Sequence, residues 1–320
     1  MKIVFFGSSR FAVPSLEALI KSRYEVCCVV TQPDKKKGRH LHLGFTDVKS
    51  LANKAGLRVF QPVSINSSDS IGYLRNLSAD VFVIVAYGQI LSQEALLLAK
   101  IFPINIHASL LPKYRGAAPI NWAVINGEKN TGITVIKVTR KMDSGPLLMQ
   151  KEMPISETDD SETLEDKLRR LGAKLLVDVL KEIEKKSFKL ILQDEKQVIS
   201  APKLKKATGY IDWGRSADEI YNKVRGCLPW PGAFTYYKGK LLKIYKAEII
   251  PRGHHLQDPL ARGGADNKPG TVLKADKQSL EVAAGEGSLL IKELQLEGAR
   301  RMPAADFIAG HRIKPGEELK

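Results

Sequence analysis

The first half of the chain alternates short apolar runs with segments of helical periodicity, and this alternation constrains the fold most. The runs are rich in β-branched and aromatic residues and lack a polar face, which is typical of strands buried on both sides. Residues 13–22 and 161–185 carry apolar side chains at helical spacing. Together these patterns predict an α/β fold, with a Rossmann-like parallel sheet flanked by helices. The predicted strands are residues 2–6, 25–30, 57–60, 80–85, 102–106 and 132–138.

The pattern changes near residue 190, so we predict two domains. Residues 1–189 form the first, residues 190–206 a basic linker, and residues 207–320 a small OB-like β-barrel built from short, regularly spaced strands. Residues 251–269 are rich in Gly, Pro and charge, and predict a long loop between two of these strands. The predicted strands of the second domain are residues 234–237, 241–249, 271–274, 280–283 and 288–296.

The net charge of the chain indicates which class of partner it binds. The 320 residues include 50 Lys and Arg against 35 Asp and Glu, a net charge of +15. Such an excess favours a polyanionic partner, with nucleic acid first, although a generally basic proteome would also produce it. No apolar run reaches the length of about 18 residues that a membrane span requires. The apolar stretch at residues 3–6 is too short for a signal peptide, and the three cysteines form no CxxC pair, so we expect a cytoplasmic protein.

Three polar residues follow predicted strands and could form one reaction centre. Asn105 and His107 are two positions apart at the end of a strand, so their side chains point to the same face. A His moves protons near neutral pH, and an Asn amide can donate to a developing oxyanion. Asp143 follows the sixth predicted strand and could orient the His107 ring. The alternative is a structural His satisfied by backbone. No G-x-S-x-G motif is present, so acyl chemistry here would use the substrate as nucleophile.

These residues belong to a longer motif that is similar to a known family. Residues 105–112 (NIHASLLP), with Arg115, Gly116 and residues 143–145 (DSG), resemble the signature of the folate-dependent formyltransferases. The segment at residues 7–11 (GSSRF) departs from the family pattern of Gly-Thr-Pro, an acidic residue and Phe. The resemblance extends over essentially the whole chain. The C-terminal part of the chain resembles the members of the family that act on methionyl-tRNA. The further matching segments are residues 31–34 (TQPD), 85–88 (VAYG), 118–119 (AP), 203–204 (KL), 211–213 (IDW) and 229–231 (PWP).

The resemblance implies a reaction and a role for each residue. A formyl group would pass from 10-formyltetrahydrofolate, the co-substrate, to the amino group of methionyl initiator tRNA, with no metal required. Asn105 and protonated His107 would stabilise the oxyanion, and Asp143 would hold His107 and assist proton transfer. The residues implied to receive the folate are Ala86, Tyr87, Gly88, Ser109, Leu110, Leu111 and Pro112.

The resemblance also implies where the tRNA binds a monomeric enzyme. The basic loop after the second strand would enter the acceptor stem, and lysines of the linker would add phosphate contacts. The residues concerned are Lys35, Lys36, Lys37, Arg39, Lys203, Lys205 and Lys206.

Three alternatives remain at this point. A formyltransferase acting on a sugar nucleotide amine would share the three catalytic residues, but would not need the basic loop. A formyltetrahydrofolate hydrolase would use water in place of the amine. A nucleic-acid binding protein without catalysis would leave Asn105, His107 and Asp143 without a role.

Overall fold

The computed structural model describes residues 1–37, 42–250, 268–276 and 279–320, with the side chains of residues 36, 37, 42 and 43 left out. The contacts between residues divide the chain into two compact units. Most of the loop predicted for residues 251–269 lies outside these ranges, and so does Arg39. Unit 1 comprises Met1–Pro119, Asn130–Pro154 and Leu164–Pro202, and unit 2 comprises Ile120–Lys129, Ile155–Thr163 and Lys203–Lys320.

The first 202 residues contain eleven strands and six α-helices within the described ranges. The strands are β1 (Lys2–Gly7), β2 (Glu25–Val30), β3 (Lys35–Lys37), β4 (His42–Gly44), β5 (Val59–Phe60), β6 (Val81–Val85), β7 (Phe102–His107), β8 (Arg115–Gly116), β9 (Asn130–Lys137), β10 (Leu147–Pro154) and β11 (Ser200–Ala201). The helices are α1 (Val13–Ile20), α2 (Asp47–Lys54), α3 (Ser68–Leu77), α4 (Gln93–Leu96), α5 (Pro119–Ile125) and α6 (Ser161–Lys185).

Seven strands form the central sheet, in the order β10-β9-β7-β6-β1-β2-β5. The pairs from β7 through β6, β1 and β2 to β5 are parallel, which confirms the predicted parallel core of the sheet. Residues 132–138 belong to a strand, as predicted, but the predicted parallel direction of this strand is wrong. Strand β9 runs antiparallel to β7 and forms a hairpin with the unpredicted β10. Residues 131–136 are buried on both faces, as in a parallel strand. Burial pattern therefore reports how a strand is covered, and it does not report the direction in which the strand runs.

Apolar side chains from β1, β2 and β6 pack with those of α3 and α4 on one face of the sheet. Helix α6 has the predicted bounds, and Leu164, Leu168, Leu176 and Val179, which recur along it at helical spacing, are buried, while Leu171 is half-buried. A Cβ on Gly172 of this helix would lie 3.1 Å from Ile106 Cγ2 of β7. This close approach of α6 supports the strand that carries Asn105 and His107.

Unit 2 is built on an antiparallel sheet with the order β12-β13-β16-β15-β14, and β17 pairs with β16. The strands predicted there are confirmed, but the two helices beside them were not predicted. The core of this sheet includes Trp213, whose indole N–H donates to Thr235 Oγ1 at 3.0 Å. The elements are β12 (Ala233–Tyr237), β13 (Lys240–Ile250), β14 (Val272–Ala275), β15 (Leu280–Ala283), β16 (Ser288–Leu296), β17 (Met302–Pro303), α7 (Ala217–Gly226) and α8 (Ala304–His311).

Within the described ranges, none of the helices combines the length and the hydropathy that crossing a bilayer requires.

Candidate active site

His107 is the last residue of β7, and its ring is held from both sides. Its Nε2 lies 2.9 Å from the carbonyl oxygen of Tyr114, and its Nδ1 lies 3.6 Å from Asp143 Oδ2. A carbonyl oxygen only accepts hydrogen bonds, so Nε2 carries a proton. The Nδ1 atom faces a carboxylate, so the doubly protonated ring satisfies both neighbours, whereas the Nε2-protonated neutral ring satisfies only the carbonyl. Both ring nitrogens of His107, which is only 6% exposed, therefore face groups that accept hydrogen bonds.

Asp143 reaches His107 by a different path from the predicted one. Because β9 runs antiparallel, its carboxyl end lies beside Pro103, where the Val138 N–H donates to the Pro103 carbonyl at 2.9 Å. The connection from residue 138 to residue 146 then folds back towards the carboxyl end of β7. Asp143 lies in this connection with φ of 51°, and its Oδ2 accepts a hydrogen bond from the Gly116 N–H at 2.9 Å.

Asn105 lies two residues before His107 on β7, on the same face of the strand. Its side chain is half-buried. Among the residues that the structure describes, no group accepts from or donates to the Asn105 amide. The amide is therefore available as a donor to a substrate oxygen near the His107 ring.

Over the same described residues, no three His, Cys, Asp or Glu side chains come together as they would to hold a metal ion.

The segment from Ser109 to Pro112 is fixed by one buried hydroxyl that the sequence did not single out. Thr134 Oγ1 donates to the Ser109 carbonyl at 2.6 Å and accepts from the Leu111 N–H at 3.1 Å. Gln150 Nε2 donates to the same hydroxyl at 2.8 Å and to the Leu111 carbonyl at 3.0 Å. Thr134 is a polar residue within an otherwise apolar run, and this is the signal that could have found it.

Residues 86–88 follow β6, and the two residues on either side of Tyr87 face solvent. Ala86 and Gly88 are exposed and have positive φ angles of 46° and 92°. The Tyr87 side chain instead packs into the core, edge-on against Phe6 with ring centroids 5.5 Å apart. Burial raises the pKa of Tyr87 to about 12. A ligand at this edge of the sheet would therefore contact the backbone of this segment and not the phenol.

The first loop, where the sequence departs from the family pattern, is tied to this segment. Ser8 Oγ donates to the Tyr87 carbonyl at 2.9 Å and accepts from the Gln32 N–H at 3.1 Å. Arg10, which replaces the acidic residue, pairs with Glu165 of α6 at 2.9 Å. The departure is thus accommodated by an ion pair within unit 1.

Gln32 carries a buried donor that lacks a partner. Its Nε2 makes no hydrogen bond to any described residue, and it would lie 3.8 Å from a Cβ placed on Gly88. An unpaired buried donor is costly, so this site suits a ligand that brings hydrogen-bond acceptors to the edge of the sheet.

The predicted basic loop begins as a hairpin, because β3 and β4 pair with Lys35 opposite Gly44. Lys35 is exposed. At the base of the hairpin, Lys49 pairs with Asp34, and Gln61 Nε2 donates to Asp34 at 2.8 Å. These bonds, the one from Lys49 first, hold the pKa of Asp34 below its usual range. Of the other residues predicted for this basic loop, Arg39 and the side chains of Lys36 and Lys37 lie outside the part of the chain that the structure describes.

The segment predicted as a linker contains ordered structure. Ser200 and Ala201 of β11 pair with Arg115 and Gly116 of β8. Unit 1 extends through this strand to Pro202. Three residues predicted to contact phosphates follow this strand and are exposed: Lys203, Lys205 and Lys206. They lie at the start of the third part of unit 2, Lys203–Lys320.

Two family models match the chain. The model described as "Formyl transferase" matches residues 1–180, and "Formyl transferase, C-terminal domain" matches residues 203–312. Together they cover most of both units.

Curated relatives match over their full length. A Methionyl-tRNA formyltransferase of Caldanaerobacter subterraneus subsp. tengcongensis is 45% identical, with 100% of both chains covered. A second, from Acetivibrio thermocellus, is 44% identical over 100% of this chain and 99% of the relative. Among solved structures, an N-formyltransferase from Helicobacter canadensis in complex with folinic acid and dTDP-3-aminofucose has a TM-score of 0.67 at 17% identity, covering 94% of this chain and 100% of that one. At that identity the structural match shows the fold alone.

Proposed function

Because the chain belongs to the formyl transferase family, we propose that it transfers the formyl group of 10-formyltetrahydrofolate to the amino group of methionyl initiator tRNA. The observation that carries the proposal is the full-length match, at 44% and 45% identity, to relatives named Methionyl-tRNA formyltransferase. The excess of positive charge, +15, fits a tRNA better than it fits a small nucleotide.

The arrangement of Asn105, His107 and Asp143 suits this reaction. The donor supplies a formyl carbon that the neutral amine of methionine attacks, so that a C–N bond forms and the bond to N10 breaks. Asn105, as a hydrogen-bond donor, and protonated His107, through its positive charge, stabilise the negative charge on the formyl oxygen, each contributing about 10²–10³-fold to the rate. Asp143 holds the imidazolium and carries the proton that the amine loses towards the departing N10. Holding the two substrates together supplies much of the remaining rate.

The folate would lie against the edge of the sheet that ends β6 and β7. A pteridine ring offers acceptors to the unpaired Gln32 Nε2 and to backbone groups at residues 86–88. The segment from Ser109 to Pro112, held by Thr134, forms the other wall. Ser109 Oγ donates to the Lys113 carbonyl at 2.6 Å, which closes the turn of that wall.

The tRNA would meet basic groups in both units. The acceptor stem would be contacted by Lys35, Lys36, Lys37 and Arg39. Further phosphates would be contacted by Lys203, Lys205 and Lys206 of unit 2. We further propose that the enzyme works in the cytoplasm as a monomer. Size-exclusion chromatography with light scattering tests the monomer, and a mass of twice 35.4 kDa would contradict it.

One assay separates the possible reactions. The protein is incubated with 10-formyltetrahydrofolate and methionyl initiator tRNA, and N-formylmethionyl-tRNA is measured after alkaline hydrolysis. Formylation is expected with the tRNA and not with an amino-sugar nucleotide. Product on the sugar nucleotide alone, or loss of the formyl group without any amine acceptor, would overturn the proposal. The His107→Ala variant should lower formylation by about 10²–10³-fold and leave tRNA binding intact, a result that would exclude a purely binding protein.

A further inference from the structure

Gln193 lies far along the chain from the three catalytic residues and yet binds the connection that carries Asp143. Its Nε2 donates to the Asp143 carbonyl at 2.8 Å and to the Gly145 carbonyl at 2.7 Å. These two carbonyls flank the turn that directs the Asp143 side chain. Gln193 is half-buried and lies in the segment that the sequence predicted as a linker.

The other end of the Gln193 amide is held by a buried guanidinium. Arg115 Nε and Nη2 donate to Gln193 Oε1 at 3.0 and 2.8 Å, and Arg115 is only 8% exposed. Arg115 Nη2 also donates to Glu195 Oε1 at 2.8 Å, and this bond is the main cause that lowers the pKa of Glu195 to about 2. The orientation of the Gln193 amide is therefore determined, because Arg115 can only donate and the two carbonyls can only accept.

Arg115 joins Gln193 to both sides of the His107 ring. The residue before it, Tyr114, provides the carbonyl that accepts from His107 Nε2. The residue after it, Gly116, provides the N–H that donates to Asp143 Oδ2. The pair of Arg115 and Gln193 thus connects the backbone around the ring with the backbone that presents the carboxylate.

The Asp143 turn needs such support because its backbone is strained. A φ of 51° places Asp143 in the left-handed region, which costs a non-glycine residue free energy unless its surroundings hold it there. The turn is also tightly packed, since a Cβ on Gly145 would lie 1.7 Å from the Lys137 carbonyl oxygen. The two hydrogen bonds from Gln193 select this conformation.

We infer that Gln193 is a positioning residue, which holds the Asp143 carboxylate at His107 while the formyl group is transferred. The inference rests on the proposed function. Gln193 acts through Asp143 and not through contact with either substrate. Removing its side chain should therefore lower kcat and leave the KM for tRNA and for folate within about 3-fold. Supporting groups of this kind change activity by about 10–100-fold, and we expect kcat of Gln193→Ala to fall by that factor.

A second variant distinguishes the role of the Gln193 amide oxygen from that of its nitrogen. Gln193→Glu keeps the volume and an acceptor for Arg115, but it presents an oxygen to the two carbonyls of the Asp143 turn. We expect a loss of kcat at least as large as that of Gln193→Ala, with no loss of melting temperature. Gln197→Ala is the matched control, because Gln197 is an exposed glutamine in the same segment whose amide donates to Asp194 Oδ2 at 3.0 Å.

A double-mutant cycle with Asp143→Asn tests whether Gln193 acts through Asp143. If it does, adding Gln193→Ala to Asp143→Asn lowers kcat by less than about 2-fold. Multiplicative losses in the double variant would overturn the inference, as would kcat of Gln193→Glu within 3-fold of wild type. Wild-type protein that forms no formylmethionyl-tRNA would instead contradict the proposed function, so the two failures are distinguishable.

Discussion

Replacing Thr134 by Val should destabilise unit 1 more than replacing it by Ser, which is the reverse of what apolar burial alone predicts. The Thr134 hydroxyl is fully buried and joins β9 to the segment that begins at Ser109. Val keeps the shape of Thr and adds apolar surface, but it cannot donate to the Ser109 carbonyl or accept from the Leu111 N–H. Ser keeps both hydrogen bonds and loses one methyl group.

The magnitudes follow from the groups left without partners. In Thr134→Val, two buried backbone groups, of Ser109 and Leu111, lose a partner at about 1–3 kcal/mol each. Gln150 Nε2 retains its bond to the Leu111 carbonyl at 3.0 Å. We therefore expect the free energy of unfolding to fall by about 2–6 kcal/mol. Loss of one buried methyl in Thr134→Ser costs about 1 kcal/mol.

Thermal unfolding followed by circular dichroism or calorimetry measures the difference. At about 2–4 °C per kcal/mol for a domain of this size, Thr134→Val should lower Tm by about 4–24 °C and Thr134→Ser by about 2–4 °C. Because this segment is the proposed wall of the folate site, the KM for folate should rise in Thr134→Val and stay near wild type in Thr134→Ser. A Thr134→Val protein as stable as Thr134→Ser would refute the reasoning.

Three further predictions concern catalysis, tRNA binding and thiol reactivity. His107→Ala should lower kcat by about 10²–10³-fold, whereas His311→Ala, at an exposed histidine of α8, should not change it. Arg39→Ala should raise the KM for tRNA and reduce the salt dependence of kcat/KM by about one phosphate contact, and Arg75→Ala, at an exposed arginine of α3, serves as its control. Burial raises the pKa of Cys28 to about 11, so at pH 8 its thiolate fraction is about 0.001 and alkylation, followed by mass spectrometry, should be more than about 100-fold slower than for a peptide cysteine. Equal kinetics in a variant and its control, or rapid alkylation of the folded protein at Cys28, would contradict the respective prediction.

Much of the fold was accessible from local pattern. The parallel strands, the bounds of α6 and the antiparallel strands of unit 2 each follow from the period and length of their apolar runs, because these runs report burial directly. The motif around Asn105 and His107 is contiguous along β7, so residue type and spacing alone made it a candidate site. Tyr87 shows the limit of that reasoning, since the motif contains it but only the backbone around it faces outward.

What the sequence by itself determined is most of the strands, the long helix α6 and the candidate site residues Asn105, His107 and Asp143, because these are properties of short segments. The tertiary structure alone decided that β9 runs antiparallel, so that Asp143 reaches His107 through a connection that folds back. It also decided that Thr134 and Gln193 hold the two segments around the site. The physical reason is that strand direction and long-range hydrogen bonds depend on which distant segments meet, and a local pattern of burial is the same for several such arrangements.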